Sequence, residues 1–266
     1  MGVMLRRMLT TERTRLVVLA AAMVVWFLLM MVVYNEAGLE LFRGQAFDNA
    51  LGKGFDLRQF ASADNVLAQL VGLAYTHPLF LVMMSSVVVA LGARSCAGEL
   101  DAGTLELTLS RPLSRSRYLL TYWLFIVAAT AVLLAISALA ALGFASLLDV
   151  PGTLHAQRIG LTALNAWLMF SGFGSLVTLV STLLHSRSSA LFGGVAMVVA
   201  MYFLTFFARV WEPMEPFGRL SLFDYFPAND VMLGNGIEPT DAAALVSVSV
   251  VAIALAIWRF EHRDLV

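Results

Sequence analysis

The side chains able to do chemistry in this 266-residue chain are few and scattered. His77, His155, His185 and His262 fall in four different segments with no ligand spacing between them, so they do not assemble a metal site. Cys96 is the only cysteine, which excludes an intramolecular disulfide and a cysteine-rich metal centre. Its plain reading is a small residue at a helix-packing position. Ser171-Gly172-Phe173-Gly174-Ser175 has hydroxyls, but no His or Asp in the apolar segments offers itself as a base, so close helix packing is the better reading. The 13 methionines are spread through several apolar segments and fill apolar surface. Gly52-Lys53-Gly54 lacks the Gly-x-x-x-x-Gly-Lys-Ser/Thr spacing that wraps a phosphate, so the chain binds no ATP by that route. The pattern is not that of an enzyme.

Polar chemistry concentrates in one short stretch, 94–117, RSCAGELDAGTLELTLSRPLSRSR, set between two long apolar runs. Gly98 to Ser110 predicts a short helix, with Leu105 and Leu109 on one face and Glu99, Glu106 and Thr108 elsewhere. Gly103 weakens that helix and marks a bend. Pro112 stops it. Ser114 caps the next apolar helix, with Arg115 and Arg117 at headgroup level. The plainer alternative is a surface helix whose arginines only set topology.

The elements that position this stretch are apolar helices. The chain is 60% hydrophobic and 13% charged, against about 25% charged for a soluble domain. Its mean hydropathy is +0.83. Six apolar segments lie at about Leu16–Tyr34, Val66–Gly92, Tyr118–Leu148, Ile159–Leu184, Ser189–Ala208 and Ala242–Trp258. A membrane span needs about 20 apolar residues, so an all-α, polytopic membrane protein with six transmembrane helices is predicted. Pro78 kinks the second segment or marks its true start. The third is too long for a straight crossing and is tilted or extended. No repeat or linker stands out, which predicts one six-span domain over 1–266.

Charge placement sets the orientation. With both termini inside, the cytoplasmic segments hold 11 of the 17 Lys and Arg residues and the outer ones hold 6. That bias puts both termini and the 94–117 region in the cytoplasm. The net charge of −1 gives no basic field for nucleic acid. Met1, Met4, Leu5, Met8 and Leu9 stand at helical spacing beside Arg6, Arg7, Arg13 and Arg15. This pattern predicts an N-terminal interfacial helix that turns into the first span, the alternative being a frayed basic tail. No cleavage pattern follows the first apolar run, so it reads as a retained span. The outer segment at 209–241 contains WEPMEPFGRLSLFDYFPANDVMLGNG, rich in proline and aromatics. Two readings stand for it: short helices folded back into the membrane interface, or an ordinary loop with an aromatic belt.

The six apolar cores contain no Asp, Glu, Lys or Arg. Ion-coupled carriers commonly place ionisable groups there, so the absence counts against a proton- or sodium-driven carrier. The order Glu99-x-x-x-Gly103-Thr104-Leu105-Glu106-x-x-Leu109-Ser110-x-Pro112-Leu113-Ser114-Arg115 resembles the signature of ABC-2-type permeases, between the second and third of six spans. Ser221-Leu222-Phe223-Asp224-Tyr225-Phe226-Pro227 and the ending Trp258-Arg259-Phe260-x-x-Arg263-Asp264-Leu265 are similar to that family more loosely. Tyr122 departs from it, standing where many relatives place a lysine.

The resemblance implies the permease subunit of an ATP-driven exporter in the cell membrane. A short cytoplasmic coupling helix would meet a separate ABC ATP-binding subunit, and ATP and magnesium would sit on that partner with no cofactor in this chain. Glu99, Gly103, Thr104, Leu105, Glu106, Arg111 and Arg115 would form the contact. Glu99 and Glu106 would offer charge, Gly103 a bend, and Leu105 an apolar knob. Six spans imply a second permease copy or paralogue, with the pathway between them. Gly172, Gly174, Gly193 and Gly194 would allow close helix approach. Two other readings stand beside this one: a non-transporting membrane module that recruits or regulates a cytoplasmic ATPase, and an ion-coupled secondary carrier.

Overall fold

The computed structural model describes residues 2–43, 63–105 and 114–263. Seven long helices carry the fold among them: α1 (Gly2–Arg43), α2 (Ala63–Thr76), α3 (Pro78–Asp101), α4 (Arg115–Leu147), α5 (Ala156–Leu183), α6 (Arg187–Val210) and α7 (Pro239–Glu261). No strand occurs among the described residues. All but α2 are long and apolar enough to cross a membrane, which gives the six spans expected.

Local chemistry explains the helix limits. His77 precedes a proline and is extended (ψ 137°), and its Nδ1 accepts the Leu79 N–H at 3.2 Å. Pro78 therefore starts α3 rather than kinking a longer helix, since its ring suits the first helical position. Ser114 caps α4 by accepting from the Arg117 N–H, and Ser186 caps α6 by accepting from Ser189. With 33 residues, α4 is about 50 Å long, well beyond a hydrocarbon core of ~30 Å. Residues 2–15 are helical, as their Met and Leu spacing predicts, and run unbroken into the first span. The expected turn between the two is absent: no proline or glycine interrupts 3–36, and Glu12 is ion-paired to Arg94 alongside.

Helix α5 is the central staff, packed against α3, α4 and α7. The four glycines expected to permit close packing all stand at tight contacts. A methyl group added to Gly174 would sit 2.8 Å from Ile126 Cγ2, and one on Gly172 would sit 3.1 Å from Leu222 Cδ1. The same group would meet Val180 at 3.2 Å from Gly193 and Val89 at 3.0 Å from Gly194. Gly92 is as tight, at 2.8 Å from Val177 Cγ1, and sequence inspection did not single it out. Ser175 pairs with side chains of α4 and α7. Its hydroxyl accepts from Trp123 Nε1 at 2.7 Å and pairs with Ser249 at 2.8 Å.

The 211–236 segment forms short helices, Glu212–Leu220 and Leu222–Tyr225 among them, that fold back on the bundle. Ser221 Oγ donates to Met201 O, and the Phe223 ring lies 4.9 Å from that of Phe173. Phe173 is about 15 Å from the end of α5 at Leu183, so this return reaches the middle of the helix. Arg219 fastens it to the start of α7 through Asp241 (2.7 Å) and pairs with Asp224 of the segment itself (3.4 Å). The Asp241 hydrogen bond is the chief cause of a raised Arg219 pKa. The short helices of the first reading are observed, packed against α5 and α6.

Candidate functional site at the end bearing both termini

Six crossings bring the first turns of α1 and the last turn of α7 to one end of the bundle, together with the end of α3, the start of α4 and the α5–α6 turn. The region from Arg94 onward is built into this end by a chain of charges. Glu12, on α1, is 6% exposed and accepts from Arg94 at 2.7 Å and from Arg15 at 2.9 Å. Arg94 Nε reaches Glu99 at 3.1 Å. The Glu99 carboxylate also accepts from Tyr122 at 2.9 Å and from Thr104 at 2.6 Å, with the exposed Arg7 guanidinium 3.9 Å away. Glu99 is 5% exposed. A buried carboxylate persists only when it is paired and hydrogen-bonded, and this one has both an arginine and two hydroxyls.

Helix α3 changes pitch here. Residues Arg94–Gly98 form a π turn, which leaves backbone groups out of the regular ladder. Ser181 of α5 satisfies them: its hydroxyl accepts from the Cys96 and Ala97 N–H groups at 3.2 and 2.9 Å and donates to Ala93 O at 3.0 Å. Cys96 is buried, in keeping with a packing role, and its sulfur lies 3.7 Å from Arg263. The helix then ends at Gly103, whose φ of +63° suits glycine and whose N–H bonds Leu100 O. Residues 104–105 are helical again. Gly98 therefore lies inside α3 and does not open a separate short helix, while the bend does fall at Gly103.

Two arginines cap helix ends, where unpaired carbonyls and the helix dipole favour a cation. Arg115 donates to the carbonyls of Phe260, Glu261 and Arg263 at 3.2, 3.3 and 2.7 Å. Arg263, itself 4% exposed, donates to Thr182 O at 2.7 Å and Leu184 O at 2.9 Å. Asp101 reaches across to the first turn of α6, accepting the Arg187 N–H at 3.3 Å.

The residues expected at a partner contact thus divide. Glu99 and Thr104 face each other inside this chain, and Leu105 is 1% exposed in its own core, so neither Glu99 nor Leu105 is offered outward as expected. Burial rewards Leu105 for joining the apolar core, and Arg94 supplies the cation that Glu99 was expected to find elsewhere. Gly103 is exposed. Arg115 holds the last helix. Glu106 and Arg111 lie outside the described residues. Sequence inspection missed Glu12, Arg94, Asp101 and Ser181. The one signal was that Glu12 and Arg94 are charges at the edge of apolar runs. Tyr122, standing where many relatives of the resembling family have a lysine, is buried and donates to Glu99.

A helical bundle with six apolar spans and a polar hub at one end defines a multi-pass membrane protein. The model of the ABC-2 family transporter proteins matches residues 9–265, nearly the whole chain, and the chain belongs to that family. It is thereby the membrane subunit of a transporter. No curated protein matches the chain.

Proposed function

We propose that this chain, one six-span domain over 1–266, is the permease of an ATP-driven exporter in the cell membrane, with both termini in the cytoplasm. A separate ABC ATP-binding subunit, carrying ATP and magnesium, would drive it, and a second permease copy or paralogue would complete the pathway. The observation that carries this reading is the hub. The 94–105 stretch is bonded to α1 through Glu12, to α4 through Tyr122, to α5 through Ser181 and to α6 through Asp101. A push on its tip is thereby delivered to four helices at once, since bonded and packed elements move as units. The bias of arginine toward this end supports a cytoplasmic placement. Helix α6 is the least buried span apart from its ends, with Phe192, Phe203 and Phe206 exposed, which suits lipid or a second copy.

The test is purification in mild detergent, with mass spectrometry and an ATPase assay on whatever is retained. A stoichiometric ATP-binding subunit is expected. A well-folded chain that retains no ATPase contradicts the proposal.

A further inference from the structure

With Glu99 and Leu105 turned inward, the exposed residues of the 94–105 stretch are Asp101, Ala102 and Gly103 at the tip of α3. That tip does not stand alone. The Asp101 carboxylate holds the Arg187 N–H, which seats the α5–α6 turn, His185-Ser186-Arg187-Ser188, directly beside it. The turn is held from behind as well, because Arg263 grips the carbonyls of Thr182 and Leu184. His185 and Ser188 are exposed. The tip of α3 and the α5–α6 turn therefore form one platform.

Arg187 is the unexplained residue on this platform. Its Nε is buried and has no hydrogen-bond partner among the described residues. None of the ion pairs between described residues uses its guanidinium. It also occupies the first turn of a 24-residue helix, where the dipole disfavours a cation. Arg187 is half-buried and its guanidinium is in no ion pair among the described residues, and such a planar fork suits a carboxylate from outside the chain. We infer that the α5–α6 turn is a second contact of the ATP-binding subunit, in which Arg187 receives an acidic side chain of that subunit beside the Asp101–Gly103 tip. This rests on the proposed function, because the partner is the same.

The experiment uses the full complex. Ser188→Cys places a thiol on the platform, and Cys96 is buried, so a photoactivatable maleimide labels one site. Crosslinking to the ATP-binding subunit is expected from position 188 and not from Ser146→Cys at the opposite end. In parallel, Arg187→Glu is expected to weaken association about tenfold or more and Arg187→Gln less, the loss growing as salt falls because the introduced charge then repels the partner's carboxylate. If the unaltered chain retains no ATP-binding subunit, the proposed function fails and takes this contact with it. If the unaltered chain retains it, but position 188 crosslinks only to other copies of this chain and Arg187→Gln binds as tightly as the original, the second contact alone is overturned.

Discussion

Glu99 shows how a residue's type and its surroundings can point in opposite directions. A charge between two apolar runs invites the reading that it meets a partner, yet three donors within its own chain claim its carboxylate. Glu99→Ala leaves the Tyr122 hydroxyl and the Arg94 guanidinium without that acceptor. Because Arg94 is a quarter exposed and can turn to water, the expected loss is about 2–3 kcal/mol, at the low end for a buried pair. Tyr122→Phe removes one of the three bonds and should cost ~1–2 kcal/mol. The double variant should lose less than the sum, since the two share a bond, and thermal unfolding in detergent reads all three. Asn165 behaves oppositely. It is fully buried, with neither amide atom partnered among the described residues, so Asn165→Leu should raise the unfolding temperature. A lower one would mean that the amide has a partner.

Helices and their ends were the most legible part of the sequence. Apolar length alone placed six spans, and Pro78, Ser114 and Gly103 each acted through backbone preferences that need no tertiary context. What could not be read was long-range. The π turn at Arg94–Gly98 depends on a serine more than 80 residues away, and the pairing of Glu12 with Arg94 depends on how α1 lies along α3. The coupling-helix residues split for the same reason: exposure is set by the fold, and nothing in the spacing distinguishes Leu105, which is buried, from its exposed neighbour Gly103. At this scale Arg263 is the informative residue, because one side chain holds two carbonyls at the end of α5. Arg263→Ala should speed hydrogen exchange of the backbone amides around the α5–α6 turn while leaving those in the middle of α5 unchanged. Uniform protection across both would remove Arg263 from its capping role. Gly92→Ala, with 2.8 Å to Val177, should cost about 1–3 kcal/mol by forcing α3 from α5.

At the scale of the whole molecule, the apolar spans and the polar hub divide the labour. The spans hold no charged side chain in their apolar cores, so nothing in them binds a driving ion by side-chain charge, and four of the six ion pairs between described residues lie at the end bearing both termini. Family membership makes this a transporter's membrane subunit, and under the proposed function the hub would carry a partner's motion to α1, α4, α5 and α6 together. The central claim is that this route couples the partner's ATPase to the spans. The most direct measurement compares ATP hydrolysis by the ATP-binding subunit alone, in complex with the unaltered chain, and in complex with Glu99→Gln, each in lipid nanodiscs. The account predicts that the unaltered chain changes the hydrolysis rate, and that Glu99→Gln abolishes this change while the complex stays stoichiometric. An intact Glu99→Gln complex that alters hydrolysis as fully as the original would contradict it.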